Sequence, residues 1–409
     1  EESGDGGRVV RWQYSTELFR EERIRELAAG YERMLRAWVE RPDEKLSRVQ
    51  LRSQSELDTL AAEEKNLQAA KGSKLRSVRR KALSIAATNL VKTGYLPDTE
   101  KMPLVIQPAT DEVDLAGWAK SNHALIQSQL HAHGALLFRN FKINSVAEFE
   151  QSAAAMCPEL FAGYGDLPRA EVGKKVYGST PYPADKAILF HNESSHLQSW
   201  PMRIWFHCVQ AATTGGETPI VDCRRVYQNL RPELRERFAG RGLMYVRNYT
   251  EGLDVSWERF FGTDQREEVE RQCRAAGIEF VWRRANDLQT RKRTAAVRRH
   301  PQTGEVVFFN QVQLHHISCL DAAVRESLLS LFKADELPRN VYYGDGQPIE
   351  DEVMAEVGEA YERAVVAFAW QPGDILMLDN MLAAHGRNSY TGQRKIVVAM
   401  GEMIHEDAL

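Results

Sequence analysis

His191-Asn192-Glu193 and a distant His385, set in Asp379-Asn380-x₄-His385-Gly386-Arg387, offer two imidazoles and one carboxylate from well-separated parts of a 409-residue chain. Side chains two positions apart leave the same side of an extended strand, whereas on a helix they diverge. His191 and Glu193 are therefore expected on a strand, with His385 brought alongside from elsewhere. Two imidazoles and a carboxylate on one face of an octahedral metal leave the other face open, which suits non-haem Fe(II) and oxygen chemistry. His196 is a competing ligand, but the His-x-Glu spacing fits better, so His196 is read as a pocket residue.

Two further motifs accompany these ligands: Gly215-Gly216-Glu217-Thr218, and Arg394 nine residues beyond His385. A guanidinium can grip a carboxylate through two parallel hydrogen bonds, and a threonine hydroxyl adds another donor. An iron oxygenase using 2-oxoglutarate needs such a grip on the far carboxylate of that cosubstrate. On its own, the paired glycine could equally make a plain hairpin turn.

The set resembles the TauD/TfdA family of Fe(II)/2-oxoglutarate dioxygenases, in particular a SyrP-like branch that hydroxylates amino acids in nonribosomal peptide pathways. The resemblance runs from about Pro103 to Glu402. Its landmarks include His133-Gly-Ala-Leu-Leu-Phe-Arg139, Ser179-Thr180-Pro-Tyr182-Pro-Ala-Asp185, Phe309-Asn310-Gln311, Tyr343-Gly344-Asp345-Gly346 and Pro372-Gly373-Asp374. It implies Fe(II) on His191, Glu193 and His385, 2-oxoglutarate held by Thr218 and Arg394, and O₂ as the oxidant. Arg394 lies nearer the distal histidine than in taurine dioxygenase itself, so Arg387 stays open as an alternative. Thr180, Tyr182, His196, Asn310, His315 and Arg387 are the expected substrate contacts. Related halogenases replace the carboxylate by a small residue, so Glu193 implies hydroxylation, or epoxidation or desaturation, rather than halogenation.

The elements that must position these groups are short. Ala135–Phe138, 204–208, 306–309, 375–378 and 396–400 read as strands, and Val146–Met156 and 324–331 as helices. Many short strands carrying widely separated ligands suit a jelly-roll barrel, a mainly β fold with helices (α+β). The adjacent His315 and His316, read as strand, should face opposite ways, so that at most one reaches the pocket. His131, His133, His300 and His405 are expected at the surface or as local caps.

Residues 1–60 have a different character. Ile24, Leu27, Tyr31, Met34, Leu35 and Trp38 recur at helical spacing over 20–40. Helix, Pro42 and an apolar stretch (Leu46, Val49, Leu51) resemble the C-terminal tail of a nonribosomal peptide condensation domain, without its His-His-x₃-Asp-Gly motif. A helical linker over 61–102 carries the basic run Lys71, Lys74, Arg76, Arg79, Arg80 and Lys81, either a solvated face or a docking surface for an acidic carrier protein. The oxygenase domain is expected over 103–409.

Net charge of -4 gives no electrostatic reason to expect nucleic acid. No apolar run is long enough to span a membrane. Five scattered cysteines without a CxxC pair read as reduced thiols, consistent with a cytoplasmic, ferrous enzyme. The function expected is hydroxylation of an aminoacyl or peptidyl group on a peptidyl carrier protein or synthetase module. A hydroxylase of a small free amino acid, with Arg203 or Arg387 as counter-ion, and a non-catalytic scaffold are the alternatives.

Overall fold

Apolar runs far apart in sequence become neighbours in one large sheet. In the computed structural model the order is β1 (Val91–Gly94), β2 (Leu104–Pro108), β3 (Ala135–Phe138), β16 (Ile375–Asp379), β6 (Ser199–Gln210), β19 (Lys395–His405) and β4 (Tyr177–Gly178). All neighbours are antiparallel except β2 and β3. A second sheet runs β15 (Val365–Val366), β8 (Ile220–Asp222), β17 (Ala383–Arg387) and β5 (Ile188–His191). The described residues are 10–16, 19, 21–41, 90–97, 99, 101–161, 175–178, 182–250, 255–283 and 286–409.

Strand β16 shows why its sequence lacks polar alternation. Leu376 and Leu378 point to a core shared with Ile220 of β8 and Ala383 of β17. Ile375 and Met377 point the other way, onto α2 (Leu115–Ser121), α3 (His123–His133) and α4 (Val146–Met156), among Trp118, Ile126 and Phe149. With both faces covered, every position from Ile375 to Leu378 is apolar, each such side chain contributing roughly 1.5–3 kcal/mol. Two mainly antiparallel sheets packed over one core make this a jelly roll with added helices, as expected.

A third sheet, β10 (Glu279–Trp282), β11 (Leu288–Thr294), β9 (Leu243–Tyr249) and β14 (Arg339–Tyr343), is inserted between β8 and β15. It carries α7 (Trp257–Phe261) and α8 (Arg266–Ala275) on a small core of Tyr249, Trp257, Val269, Cys273 and Leu288. Between β8 and this insertion lie α5 (Cys223–Asn229) and α6 (Pro232–Arg241). The hairpin β12 (Val297–Arg299) and β13 (Val306–Phe308), then α9 (Val312–His315), α10 (Ala322–Leu331) and α11 (Asp351–Glu362), complete the elements used below.

The chain divides into Glu1–Ser84 and Ile85–Leu409. In the first unit the expected helix forms as α1 (Glu21–Glu40), with Ile24 and Ala37 buried and ion pairs Arg25–Glu21 and Arg36–Glu32 on its exposed side. The apolar stretch after Pro42 and the basic run 71–81 lie outside the described residues. The second unit begins earlier than the boundary expected at 103. Strand β1, placed in the linker by its polar composition, is hydrogen-bonded to β2 from Val91↔Pro108 to Gly94↔Val105. No helix among the described residues is long and apolar enough to cross a membrane.

Candidate active site

Strands β5 and β17 set His191 directly opposite His385 in an antiparallel pair, their ring centroids 4.4 Å apart. Gly386 makes this approach feasible: a Cβ there would lie 2.7 Å from the Ile188 carbonyl, at the point where the register shifts. Glu193 is not on the strand where its spacing placed it. β5 ends at His191, and Glu193 lies in the following turn, where Ser194 adopts φ +56°. The turn, rather than strand alternation, swings the carboxylate back towards the imidazoles. One ligand atom from each of His191, Glu193 and His385 lies within 4.8 Å of the others.

Hydrogen bonds fix these groups from behind. His191 Nδ1–H donates to the Leu189 carbonyl at 2.9 Å, the tautomer that leaves Nε2 as a lone-pair donor. Asn380, in the turn entering β17, accepts from Glu193 N at 2.8 Å and donates to Glu193 O at 2.9 Å and Pro201 O at 2.9 Å. Asn192 donates to Asn380 O at 2.7 Å. Gln311, which belongs to the Phe309-Asn310-Gln311 landmark but was not among the expected site residues, donates to Asn192 O at 3.0 Å. The turn bearing Glu193 is thus fastened to the turn that leads to His385.

Arg394 and Thr218 come to the same place. Arg394 precedes β19, and Thr218 lies between β8 and β7 (Thr214–Gly215), which pairs with β18 (Tyr390–Thr391). Arg394 Nε donates to Gly216 O at 2.8 Å and Nη2 to Thr218 Oγ1 at 3.4 Å. The Thr218 oxygen also accepts from Trp370 Nε1 at 3.2 Å, which turns its own O–H outward as a donor. Gly216, at φ +74°, has no room for a side chain, since a Cβ would meet Arg394 Cδ at 3.0 Å. Burial, then the nearby Arg387 charge, pulls the Arg394 guanidinium down to about 10, so it stays cationic near neutrality. A small cavity of about 50 Å³ is bounded by His191, Glu193, His385, Thr218, Arg387 and Arg394, which brings all five expected metal and cosubstrate residues to one space.

Among the expected substrate contacts the outcome divides. His196 and His315 line a second cavity of about 580 Å³ whose lining includes Ser194, one residue past Glu193. Tyr245 joins them, with ring centroids 5.5 Å from His196 and 4.9 Å from His315. His315 ends helix α9 rather than sitting on a strand; its neighbour His316 is buried, bonded to Ser318 and the Ile349 carbonyl. Asn310 lines neither of these two cavities. Fully buried, it donates to Ala296 O and accepts from Val312 N, which makes it part of the support beneath Asn192. Arg387 borders the small cavity, but its guanidinium donates to the carbonyls of Tyr182, Pro183 and Lys186 and so holds that loop. Tyr182 is exposed beside it, and Thr180 lies outside the described residues.

His300 and Arg203 depart further from expectation. His300 is wholly buried, with Nε2 3.1 Å from Asp379 and Nδ1 accepting from Gln302 and Thr303 N–H. His131 is half-buried beside them, and its pKa is lowered by burial and then by Arg203. Arg203 pairs with Asp379 and contacts His131 and Gln127. Burial alone would raise the Asp379 carboxyl; Arg203 and His300 outweigh it and bring it to about 2. His131, His300 and Asp379 also converge as three ligand types. There, however, the guanidinium already supplies the cation and the His300 nitrogens are both engaged, so the cluster reads as a buried ion network. Arg203 is consequently unavailable to a substrate carboxylate.

The jelly roll with two imidazoles and a carboxylate at its mouth defines an Fe(II)/2-oxoglutarate-dependent oxygenase. Residues 98–400 match the taurine catabolism dioxygenase TauD, TfdA family, and the chain belongs to that family. The dapdiamide synthesis protein DdaC of Enterobacter agglomerans is 38% identical over 288 residues, covering 70% of this chain and 88% of its own. A clavaminate synthase-like protein of Arabidopsis thaliana is 26% identical over 322 residues, covering 74% and 94%. Among solved structures, PvcB of Pseudomonas aeruginosa aligns with a TM-score of 0.49 at 14% identity, over 79% of this chain and 96% of that one.

Proposed function

We propose that His191, Glu193 and His385 hold Fe(II), that Arg394 and Thr218 hold the far carboxylate of 2-oxoglutarate, and that the enzyme hydroxylates an aminoacyl or peptidyl group carried as a thioester on a carrier protein. The observation that carries the reading is the convergence of the three ligand atoms beside a part-buried guanidinium–hydroxyl pair. When bound, iron would activate O₂ with loss of CO₂ from 2-oxoglutarate, one oxygen atom passing into succinate and the other into the substrate C–H bond to give a hydroxyl. The chain's own residues orient that event. His191 presents Nε2, Asn380 fixes the backbone of Glu193, and Arg394 and Thr218 offer converging N–H and O–H donors to a carboxylate.

The tethered form of the substrate rests on two observations. The cavity lined in part by Ser194, about 580 Å³, is roomier than a lone small amino acid requires. The guanidinium groups expected to neutralise a free carboxylate, those of Arg203 and Arg387, are committed elsewhere. DdaC, named for dapdiamide synthesis, supports a place in secondary metabolism. Incubation with aminoacyl carrier proteins and with the free amino acids, reading succinate release and a one-oxygen mass gain, tests it. Turnover of the free acids alone would overturn the tethered reading.

Asn380→Ala removes bonds to both ends of the Glu193 peptide unit. Outer-sphere losses of this kind weaken metal sites by roughly 10–100-fold, and Fe(II) affinity measured anaerobically should fall in that range. Unchanged affinity would show that Glu193 is held by other means. Removal of residues 1–60, which resemble a condensation-domain tail, should leave iron and 2-oxoglutarate binding intact. It should raise the carrier concentration needed for half-maximal rate, because a lost docking surface weakens encounter rather than chemistry. A rate unaltered at every carrier concentration would leave that segment without a docking role.

A further inference from the structure

The inserted sheet reaches the turn that bears Glu193 through a short run of hydrogen bonds. Gln311, the residue before α9, sits at its centre. Its N–H donates to the phenol oxygen of Tyr245, on β9 of that sheet, at 2.9 Å. Its carbonyl accepts from His315 Nδ1–H at 3.1 Å, and from Leu314 N at 3.1 Å within the helical turn. The Tyr245 and His315 rings pack edge to face, centroids 4.9 Å apart, and both line the 580 Å³ cavity. Two side chains of the cavity wall therefore fix both ends of the Gln311 backbone.

The Gln311 side chain carries that constraint to the turn. Its amide donates to Asn192 O at 3.0 Å. This carbonyl shares one rigid peptide plane with the Glu193 N–H, which donates to Asn380 at 2.8 Å. Tilting the plane would move Glu193 and its carboxylate with it. Ser195 also donates to Asn192 O, from Oγ at 2.8 Å and N at 3.2 Å, but it belongs to the same turn and moves with it. Gln311 ties the turn to a separate segment. Asn310 reinforces the tie, its N–H donating to Asn192 Oδ1 at 3.2 Å and its carbonyl accepting from Asn192 N at 3.3 Å. Asn192, Asn310, Gln311 and Tyr245 are all buried, where a polar group deprived of its partner is costly.

We propose that Tyr245 and His315 are positioning residues for Glu193: acting through Gln311, they set the tilt of the Asn192–Glu193 peptide and so where the carboxylate meets the metal. The proposal rests on the reading of Glu193 as an iron ligand. It makes the inserted sheet part of the support of the metal site, and not of the cavity alone.

The test is calorimetric titration of the full chain with Mn(II), a redox-inert stand-in for Fe(II), in the presence of 2-oxoglutarate. Tyr245→Phe removes the acceptor and keeps the ring; Gln311→Met removes the amide donor at similar volume. Gln311→Met should weaken Mn(II) binding about 10-fold or more, as outer-sphere losses do. Tyr245→Phe and His315→Phe act one bond further out and should each cost about 3- to 10-fold. Added to Gln311→Met, Tyr245→Phe should cost less than about 2-fold more, because both break one chain of contacts. The absorbance band that 2-oxoglutarate gives the anaerobic Fe(II) protein should move in the single variants. A packing role alone would lower the melting temperature and leave affinity and band in place. Trp257→Phe is the control: it disturbs the inserted unit's own core and a bond to the Asn286 carbonyl, without touching Gln311, and should bind Mn(II) as the parent does. Tyr245→Phe and His315→Phe probe opposite ends of Gln311, so either decides where the other does not fold. Unchanged Mn(II) affinity in these variants and Gln311→Met, additive losses in the double variant, or an equal loss in Trp257→Phe would overturn the proposal while the iron reading stands. Failure of the parent to bind Mn(II), or full binding by Glu193→Ala, would remove the iron reading and the positioning role with it.

Discussion

His385→Ala and His191→Ala are each expected to abolish Fe(II) retention and 2-oxoglutarate turnover together, leaving the fold in place. Loss of an outer-sphere partner already weakens metal sites by roughly 10–100-fold, and removal of a direct ligand from a three-ligand site should exceed that. Both histidines sit at the β5–β17 contact, where the backbone ladder rather than the imidazoles joins the strands. The readouts are iron content after anaerobic reconstitution, succinate release and the melting curve. Full iron occupancy with normal turnover in either variant would remove that histidine from the ligand set. His196, which lies on the larger cavity, would be the next to test.

Arg394→Ala should raise the apparent 2-oxoglutarate constant far more than the substrate constant. A charge-assisted contact of this kind is worth roughly 2–3 kcal/mol, or about 30–150-fold in affinity. The setting favours the upper part of that range, because burial has already lowered this guanidinium to about 10 and a bound carboxylate would restore its stability. Arg394→Lys should recover only part, since an ammonium lacks the two-pronged geometry. Arg387→Ala is the informative contrast. Its three carbonyl partners lie on the 182–186 loop, so its loss should loosen that loop and leave 2-oxoglutarate affinity nearly unchanged. A normal 2-oxoglutarate constant in Arg394→Ala, with a raised one in Arg387→Ala, would exchange the two roles.

What the sequence made legible was local. Helix Val146–Met156 follows from Ser145, whose hydroxyl accepts from Glu148 N at 3.2 Å, and from an unbroken stretch of good helix formers. Strand Ala135–Phe138 stands out because Gly134, at φ +72°, ends the preceding helix and an apolar run follows. The candidate ligand set was legible because His, Glu and Arg side chains carry chemistry that few other residue types can. Long-range burial was not. Nothing near His300 shows that Asp379 will cover it, and nothing in Asn310 separates a pocket contact from a support for a turn. The inserted sheet escaped notice for a related reason. Leu288–Thr294 reads as a polar, basic run, yet it is an interior strand whose lysine and threonine face a cavity rather than water.

The fastening of one turn by the other bears on how the enzyme acquires its metal. Asn192 and Asn380 tie the Glu193 turn to the start of β17 through bonds between protein groups, and Asp379 anchors the same junction by accepting from the N–H groups of Met381 and Leu382. Where ligands are organised by metal alone, binding and folding are one event, and a chelator unfolds the protein. Here the conformational entropy of bringing two distant segments together is settled when the barrel folds. Exchange of one divalent ion for another should therefore be reversible at constant secondary structure, and a chelator should strip activity from an intact barrel.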